Sequence, residues 1–165
     1  MSAVASSGTA VVSLPADDQI LITREFDAPR HLVYKAWTTP ELVSRWWPGK
    51  RGEMTSADID LRVGGTWRYV MIAQGGYEVA FHGEYREIVA NERLVYTEVF
   101  EGAPQAGEPV VNLVTFTEVD GRTILEALST CPSKEVRDLI IDSGMEGGMQ
   151  EGMDLLEQLA IELAS

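Results

Sequence analysis

Several features that define large classes of protein are scarce in this sequence. Cys131 is the single cysteine, so no internal disulfide can form. The 13 Lys and Arg residues are outnumbered by 26 Asp and Glu, and the net charge of -13 repels nucleic-acid phosphates and anionic membranes. No segment approaches about 18 consecutive apolar residues, and residues 1–14 lack the basic start and apolar run of a secretory signal. We therefore expect a cytoplasmic protein that binds no nucleic acid and inserts into no membrane.

Sequence motifs of common catalytic and cofactor sites are missing as well. The chain contains no HExxH, CxxC, GxSxG, GxGxxG or P-loop pattern, so we expect neither a metal nor a cofactor and assign no catalytic residue. Cys131 lies between Thr130 and Pro132 without a basic neighbour to lower its pKa, which predicts an unreactive thiol. These absences leave open a cyclase-type enzyme that works by holding a flexible substrate in a reactive shape.

The length and composition predict one folded domain. A chain of 165 residues that is 45% hydrophobic can bury one sizeable core and is short for two. Residues 1–16 are rich in Ser, Ala and Gly, which favours a flexible N-terminal arm, although residues 10–14 could add an edge strand. We place the domain at residues 17–165.

Helix and strand signals follow one another in a clear order. Residues 19–26 are rich in β-branched side chains and predict a first strand. Pro29 and the Thr39-Pro40 pair each precede an apolar stripe with helical spacing, which predicts two short helices in tandem. From Thr55 the apolar period becomes two, and the pattern predicts six further strands at residues 55–63, 67–72, 78–88, 93–101, 109–119 and 122–130. Short turns such as Asp120-Gly121 join them, which favours an antiparallel meander. The loop at residues 102–107 is the widest break, and we expect it to be the most mobile.

The C-terminal segment predicts a long helix over residues 134–163, with Ser133 as its cap. Glycines at 144, 147, 148 and 152 indicate either a break near Ser143-Gly144 or a need for space beside the helix. Only this element is long enough to cover the apolar face of the sheet. The sequence therefore predicts an α+β fold, a curved seven-stranded antiparallel sheet wrapped around the C-terminal helix.

Six motifs occur in fixed order along residues 19–163: Phe26-Asp27-Ala28-Pro29, Ala36-Trp37-Thr38-Thr39-Pro40-Glu41-Leu42 with Trp46-Trp47, Asp60-Leu61-Arg62-Val63-Gly64-Gly65-Thr66-Trp67, Gly83-Glu84-Tyr85-Arg86-Glu87-Ile88, Glu92-Arg93-Leu94-Val95-Tyr96-Thr97, and Gly144-Met145-Glu146 leading into Leu155-Leu156-Glu157-Gln158-Leu159. In these motifs the chain resembles the START-like, SRPBCC superfamily, in the branch named after the activator of heat-shock-protein ATPase. The resemblance implies the helix-grip fold, with a cavity between the sheet and the last helix. Relatives include lipid and polyketide carriers, hormone receptors and aromatase/cyclases, so the resemblance names no ligand.

Aromatic and methionine side chains are the candidate walls of that cavity. Trp67, Tyr69 and Met71 share one face of a strand, and Tyr85 could present a polar hydroxyl to a ligand. From one short helix, Trp46 and Trp47 cannot both point inward, so we expect one of them at the cavity mouth and the other against the sheet edge. Each position is also compatible with ordinary core packing. The predicted ligand-binding residues are Trp37, Trp46, Trp67, Tyr69, Met71, Phe81, Tyr85, Tyr96, Phe116, Met145, Met149 and Met153.

Polar groups with catalytic potential are few. His31 and His82 are expected on the surface, and Glu78, Glu84 and Glu98 would need burial and a raised pKa to act as acid or base. The leading hypothesis is a protein that binds a small hydrophobic or aromatic molecule. The alternatives are a cyclase, dehydratase or hydrolase using the same cavity, and a chaperone-associated or stress-response module. A carboxylate or histidine paired with a polar neighbour inside the cavity would favour an enzyme.

Two further kinds of partner are a second copy of the chain and a chaperone. A homodimer is left open. A chaperone partner is not expected, because the relatives with that role carry an additional N-terminal domain that residues 1–16 are too few to supply.

Overall fold

The structure, a computed structural model, describes residues 10–101 and 108–165. Its strands are β1 (Val11–Ser13), β2 (Gln19–Phe26), β3 (Gly52–Ile59), β4 (Thr66–Ala73), β5 (Glu78–Val89), β6 (Arg93–Phe100), β7 (Val110–Val119) and β8 (Arg122–Thr130). Its helices are α1 (Arg30–Thr38), α2 (Pro40–Trp46), α3 (Lys134–Asp142) and α4 (Met145–Ala164). The predicted loop at residues 102–107 lies outside the described residues.

The strands form one antiparallel sheet in the order β1-β2-β8-β7-β6-β5-β4-β3. The predicted α+β helix-grip fold and the antiparallel meander are confirmed. The strand number of seven is wrong by one, because Val11 to Ser13 pair with Thr23 to Leu21 and extend the sheet at the β2 edge. Of the predicted flexible arm, residues 10–16 are described and include this edge strand.

Local turn chemistry sets several boundaries. Asp120 and Gly121 both have positive φ, which is the geometry of a tight two-residue turn, and β7 and β8 pair on either side of it as predicted. The strand predicted at residues 55–63 instead ends at Ile59. Beyond it the chain turns, since the Gly65 N–H bonds to the Arg62 carbonyl and the Gly64 N–H to the Tyr85 carbonyl.

The predicted C-terminal helix is divided into α3 and α4. Ser133 caps α3 by accepting a hydrogen bond from the Val136 N–H, as expected. Gly144 then adopts φ +84, a left-handed conformation that glycine reaches without strain, and α4 begins at the next residue. The predicted long C-terminal helix is confirmed as α4, which covers the larger part of residues 134–163, and the alternative of a break near Ser143-Gly144 is confirmed as well.

The main core lies between the concave face of the sheet and helices α1, α2 and α4. Arg24 points into this core from β2 and is completely buried. Its guanidinium pairs with Asp154 and Glu157 on α4, at 3.0 Å to each carboxylate. Period-two alternation puts Arg24 on the same face of β2 as Ile20, Ile22 and Phe26, and that face is buried. The two ion pairs therefore fasten the C-terminal helix to the second strand of the sheet.

A helix that crosses a membrane must be both long and apolar. In the described part of the chain, no helix is both long and apolar enough to cross a membrane.

Candidate functional site

An aromatic cavity of about 30 Å³ lies between the sheet and the first two helices. A water molecule needs roughly 10–15 Å³ by the same measure, so the cavity has room for about two waters or for a group of two or three heavy atoms. Its lining comes from α1, from α2 with the residue that follows it, and from strands β4, β5 and β6: Trp37, Trp46, Trp47, Trp67, Tyr69, Tyr85, Tyr96 and Glu98.

The position of this cavity differs from the expected one. A cavity walled by α4 was implied by the family resemblance, but none of the eight lining residues belongs to α4. Helices α1 and α2 supply the helical wall, because the chain between β2 and β3 folds over β4 and β5. The position of the cavity depends on where the first two helices pack in the folded chain, and no short sequence pattern predicts that packing.

The aromatic rings pack against one another around the space. Trp67 and Tyr69 lie with ring centroids 4.7 Å apart, and the Trp67 and Tyr96 rings are perpendicular at 5.8 Å. On the helical side the Trp37 and Trp46 centroids are 4.9 Å apart. Edge-to-face and tilted arrangements of this kind are favourable for aromatic quadrupoles, so the walls support one another without a ligand.

Trp67 is held by a bond that crosses a strand. Its indole N–H donates to the Thr97 carbonyl on β6 at 3.1 Å, although Trp67 lies on β4. The intervening strand β5 carries Gly83 opposite Trp67, and a Cβ at Gly83 would lie 2.6 Å from the indole nitrogen and 1.7 Å from the Thr97 oxygen. The glycine therefore makes room for the indole to reach across β5.

Both neighbouring tryptophans reach the cavity. Trp46 is 6% exposed and donates its indole N–H to the Ala36 carbonyl at 2.9 Å. Trp47 follows the end of α2, and its ring lies 5.3 Å from that of Tyr69 and 5.0 Å from that of Phe81. The expectation that only one of the two would point inward is wrong, because the helix ends at Trp46 and the next side chain turns toward β4 and β5.

Glu98 is the one carboxylate in the cavity wall. It is half-buried, and its Oε1 accepts a 2.8 Å hydrogen bond from the Asn112 amide nitrogen. The Asn112 amide oxygen accepts a 2.6 Å bond from the Ser129 hydroxyl, so both ends of the amide are paired. Burial raises the pKa of Glu98, and the hydrogen bond from Asn112 partly offsets the increase.

Three tyrosines complete the polar part of the wall. Burial raises the pKa of the Tyr69, Tyr85 and Tyr96 hydroxyls, and the nearby charge of Glu98 adds to the effect on Tyr96. The Tyr69 and Tyr85 side chains are 7% and 4% exposed. Among residues 10–101 and 108–165, neither hydroxyl has a hydrogen-bond partner. A buried hydroxyl without a partner is costly, so water or a ligand group inside the cavity would satisfy both.

The twelve predicted ligand-binding residues divide into two groups. Six of them line the cavity: Trp37, Trp46, Trp67, Tyr69, Tyr85 and Tyr96. Six lie elsewhere in the core or at its edge: Met71, Phe81, Phe116, Met145, Met149 and Met153. Phe116 packs edge-on against Tyr34 and Trp37, and Phe81 stacks on Phe100.

The glycines of α4 leave room for protein rather than for a ligand. A Cβ at Gly152 would lie 3.1 Å from the Trp46 carbonyl oxygen, so this glycine lets α4 approach α2 closely. Gly147 and Gly148 instead border the Arg51 side chain. The methionines of α4 that were predicted to line the cavity, Met145, Met149 and Met153, pack in or against the core.

Two lining residues were not among the predicted ones. The sequence sets no direction for Trp47, and it presents Glu98 only as a carboxylate that would need burial and a raised pKa to act. A signal for Glu98 was present, since it lies two residues after Tyr96 and so shares the inner face of β6. A carboxylate among the inward-facing positions of a strand is unusual, and at Glu98 it indicated a polar group inside the cavity.

The other reactive groups stay outside the cavity. His31 and His82 are exposed, as expected, and His82 Nδ1 lies 2.9 Å from Glu101 Oε2. Cys131 is buried, and burial raises the pKa of its thiol. In the part of the chain that the structure describes, no group of three or more His, Cys, Asp and Glu side chains could hold a metal ion.

Fold and cavity together define a helix-grip α+β protein with an internal aromatic site. Residues 27–160 match the family model described as activator of Hsp90 ATPase homolog 1-like protein. Because the match spans most of the sequence, the chain belongs to this family. Among curated proteins, none matches the chain.

Solved structures with the same fold come from several bacteria. A protein from Mycobacterium smegmatis is 25% identical, with a TM-score of 0.82 over 92% of this chain and 96% of its own. A protein from Arthrobacter aurescens is 26% identical, with a TM-score of 0.82 over 92% of this chain and 91% of its own. DynU16, from the dynemicin biosynthetic locus, is 20% identical, with a TM-score of 0.64 over 87% of this chain and 47% of its own, and so shares the fold alone.

Proposed function

We propose that this protein binds a small hydrophobic or aromatic molecule in the cavity between β4, β5, β6 and the first two helices. The observation that carries the proposal is the lining itself: seven of its eight residues are aromatic. Small-molecule sites are typically concave and mostly apolar, with a few placed polar groups. Here the tyrosine hydroxyls and Glu98 are those polar groups.

The size of the cavity limits the ligand. About 30 Å³ admits one small group, so either the ligand is itself small or the aromatic walls move apart to admit more of it. Trp47 is only half-buried and follows the end of α2, which makes its ring the wall best placed to move. The proposal therefore covers a ligand of two or three heavy atoms in the cavity as it stands, and a whole aromatic ring once the Trp47 ring has moved aside.

The test uses one variant that fills the cavity and one matched control. Tyr85→Trp adds ring volume inside the cavity, whereas Tyr77→Trp makes the same change at a residue that is 62% exposed. Toluene, phenol and indole would be titrated by isothermal calorimetry against the parent protein and both variants. We expect the parent and Tyr77→Trp to bind at least one of them, and Tyr85→Trp to lose the binding while keeping its cooperative thermal transition.

Two results would count against the proposal. One is a parent protein that binds none of the three compounds, and whose freshly purified form carries no small molecule in native mass spectrometry. The other is a folded Tyr85→Trp variant that binds as the parent does.

A proton-transfer enzyme is the second candidate function, and the pairing of Glu98 with Asn112 favours it. A half-buried carboxylate of raised pKa beside a substrate could take a proton from it and return one. Acetone and phenylacetaldehyde incubated with the protein in deuterium oxide would reveal such transfer as loss of their α-proton signals. Exchange that Glu98→Gln abolishes would support this function, and no exchange above that of buffer would argue against it.

A further inference from the structure

Glu98 has no partner of opposite charge among the residues that the structure describes. None of the eight cavity-lining residues is Lys, Arg or His. Within residues 10–101 and 108–165, Glu98 takes part in no salt bridge and accepts one hydrogen bond, from the neutral amide of Asn112. Glu98 is half-buried, and partial removal of a carboxylate from water without an opposite charge is unfavourable, so either a proton or a cation would stabilise it. The cavity beside it is where such a cation would lie.

The neighbours of Glu98 are arranged for the ionised form. The Asn112 nitrogen faces Glu98 as a donor, and the Ser129 hydroxyl donates to the Asn112 amide oxygen. A donor amide stabilises a carboxylate and gives no acceptor for a carboxylic acid proton. Asn112 is itself 6% exposed, which protects this bond from water. The polar chain from Ser129 through Asn112 thus presents a negative oxygen toward the cavity.

The rings around Glu98 suit a cation as well. The faces of Trp and Tyr rings carry partial negative charge and attract ammonium groups, most strongly where water is excluded. Trp67 and Tyr96 stand perpendicular, and Trp37 and Trp46 are tilted by 40°, so the rings meet the cavity from several directions. An arrangement of this kind surrounds a roughly spherical ammonium group better than it stacks on a flat ring.

From these observations we propose that the cavity takes the positively charged nitrogen of a small amine, surrounded by the aromatic rings and paired with Glu98. This inference rests on the proposed binding function and names the chemistry of the ligand's buried end. The volume of about 30 Å³ matches two or three heavy atoms, the size of a short alkylammonium ion or of the charged end of a longer amine.

The inference predicts how binding changes with pH. In the empty cavity the pKa of Glu98 is raised, whereas a bound cation favours its ionised form. Binding must then release a proton whenever Glu98 holds one. Affinity for an amine that is itself charged throughout should therefore rise with pH until Glu98 is fully ionised, and then level off.

The experiment compares ethylammonium with ethanol, which are of similar size and differ in charge. Ligands this small bind in about the millimolar range at best, so nuclear magnetic resonance is the suitable method. All four tryptophans of the chain line the cavity, and their indole N–H signals report on it directly. The variants are Glu98→Gln, which keeps the shape of the side chain, and Glu84→Gln, which removes the same charge from an exposed position on β5.

We expect the parent protein and Glu84→Gln to bind ethylammonium about tenfold or more tightly than ethanol near neutral pH. Glu98→Gln should lose most of that preference, and its weaker ethylammonium binding should no longer vary with pH. Equal binding of the two ligands by the parent would overturn the inference, as would a preference that survives in Glu98→Gln.

Failure of this inference is distinguishable from failure of the proposed function. If the parent protein binds ethanol and toluene but shows no preference for ethylammonium, the proposal of a charged ligand is overturned. The proposed binding of apolar molecules then still stands. Indole signals that respond to none of these compounds would overturn both.

Discussion

Trp67 on β4 donates its indole N–H to the Thr97 carbonyl on β6 at 3.1 Å, so a side chain reaches across the strand that separates them. Gly83 on β5 makes this possible, because a side chain there would occupy the same space. The bond fixes the ring that contacts both Tyr69 and Tyr96 in the cavity wall. The cavity therefore depends on a residue that has no side chain.

Gly83→Ala tests this dependence. The new methyl group would lie 1.7 Å from the Thr97 oxygen and 2.6 Å from the Trp67 nitrogen, so either the strand or the indole must move. We expect a loss of about 1–3 kcal/mol or more in the free energy of unfolding, measured with urea. The Trp67 indole proton signal should also shift, because its hydrogen bond is broken. A variant as stable as the parent, with that signal unchanged, would show that β5 and β6 yield easily.

Two glycines of α4 are expected to respond in opposite directions. A Cβ at Gly148 would meet the Arg51 side chain at 3.7 Å, an ordinary contact, so Gly148→Ala should stabilise the protein by about 0.5–1 kcal/mol through helix propensity. At Gly152 the Cβ would lie 3.1 Å from the Trp46 carbonyl oxygen, so Gly152→Ala should push α4 from α2 and destabilise the fold. Thermal unfolding of both variants measures the difference, and changes of the same sign would contradict it.

Arg24 should matter far more than an exposed arginine paired with the same helix. Arg24→Ala leaves Asp154 and Glu157 without their buried partner, and we expect a loss of about 3–5 kcal/mol. Arg45 pairs with Glu162 at the surface, so Arg45→Ala should cost less than about 1 kcal/mol. Urea unfolding of the two variants provides the comparison, and similar losses would argue against the role assigned to Arg24.

Glu98 should make the empty protein less stable as pH rises. Its pKa is raised in the folded state, so below the ordinary glutamate pKa its contribution is fully present, and the contribution is lost as pH rises through the folded value. The free energy of unfolding of the parent should therefore decline relative to that of Glu98→Gln as pH rises above about 4, the ordinary glutamate pKa. Parallel pH profiles for the two proteins would mean that Glu98 titrates normally.

Much of the fold could be predicted from the sequence because its signals are local. Strand β2 at residues 19–26 and strand β8 at 122–130 have the predicted bounds, since alternation and turn residues are properties of neighbouring positions. The Ser133 cap and the break at Gly144 are local as well. For β1 the sequence offers an edge strand only as an alternative, because three residues hold too little pattern to decide whether they pair with β2.

The candidate site was predicted only in part, and the reason is geometric. Period-two alternation puts Trp67 and Tyr69 on one face of β4, and the structure brings them to one cavity with Tyr85 of β5 and Tyr96 of β6. The sequence of a strand does not indicate which helices pack against that face. The structure packs α1 and α2 there, so their tryptophans line the cavity and the methionines of α4 do not.

The sequence by itself determined the order of the elements, the antiparallel meander and the aromatic character of the inner face, because each follows from composition or from spacing along the chain. The family was indicated by the resemblance of its motifs. Tertiary structure alone decided that Arg24 is buried between two carboxylates, that Gly83 lies beneath the Trp67 indole, and that Glu98 meets Asn112 inside the cavity. These three relationships join residues from different elements. Whether a charge is paired or a glycine is needed depends on which strands and helices pack together, and only the folded chain brings those partners within contact distance.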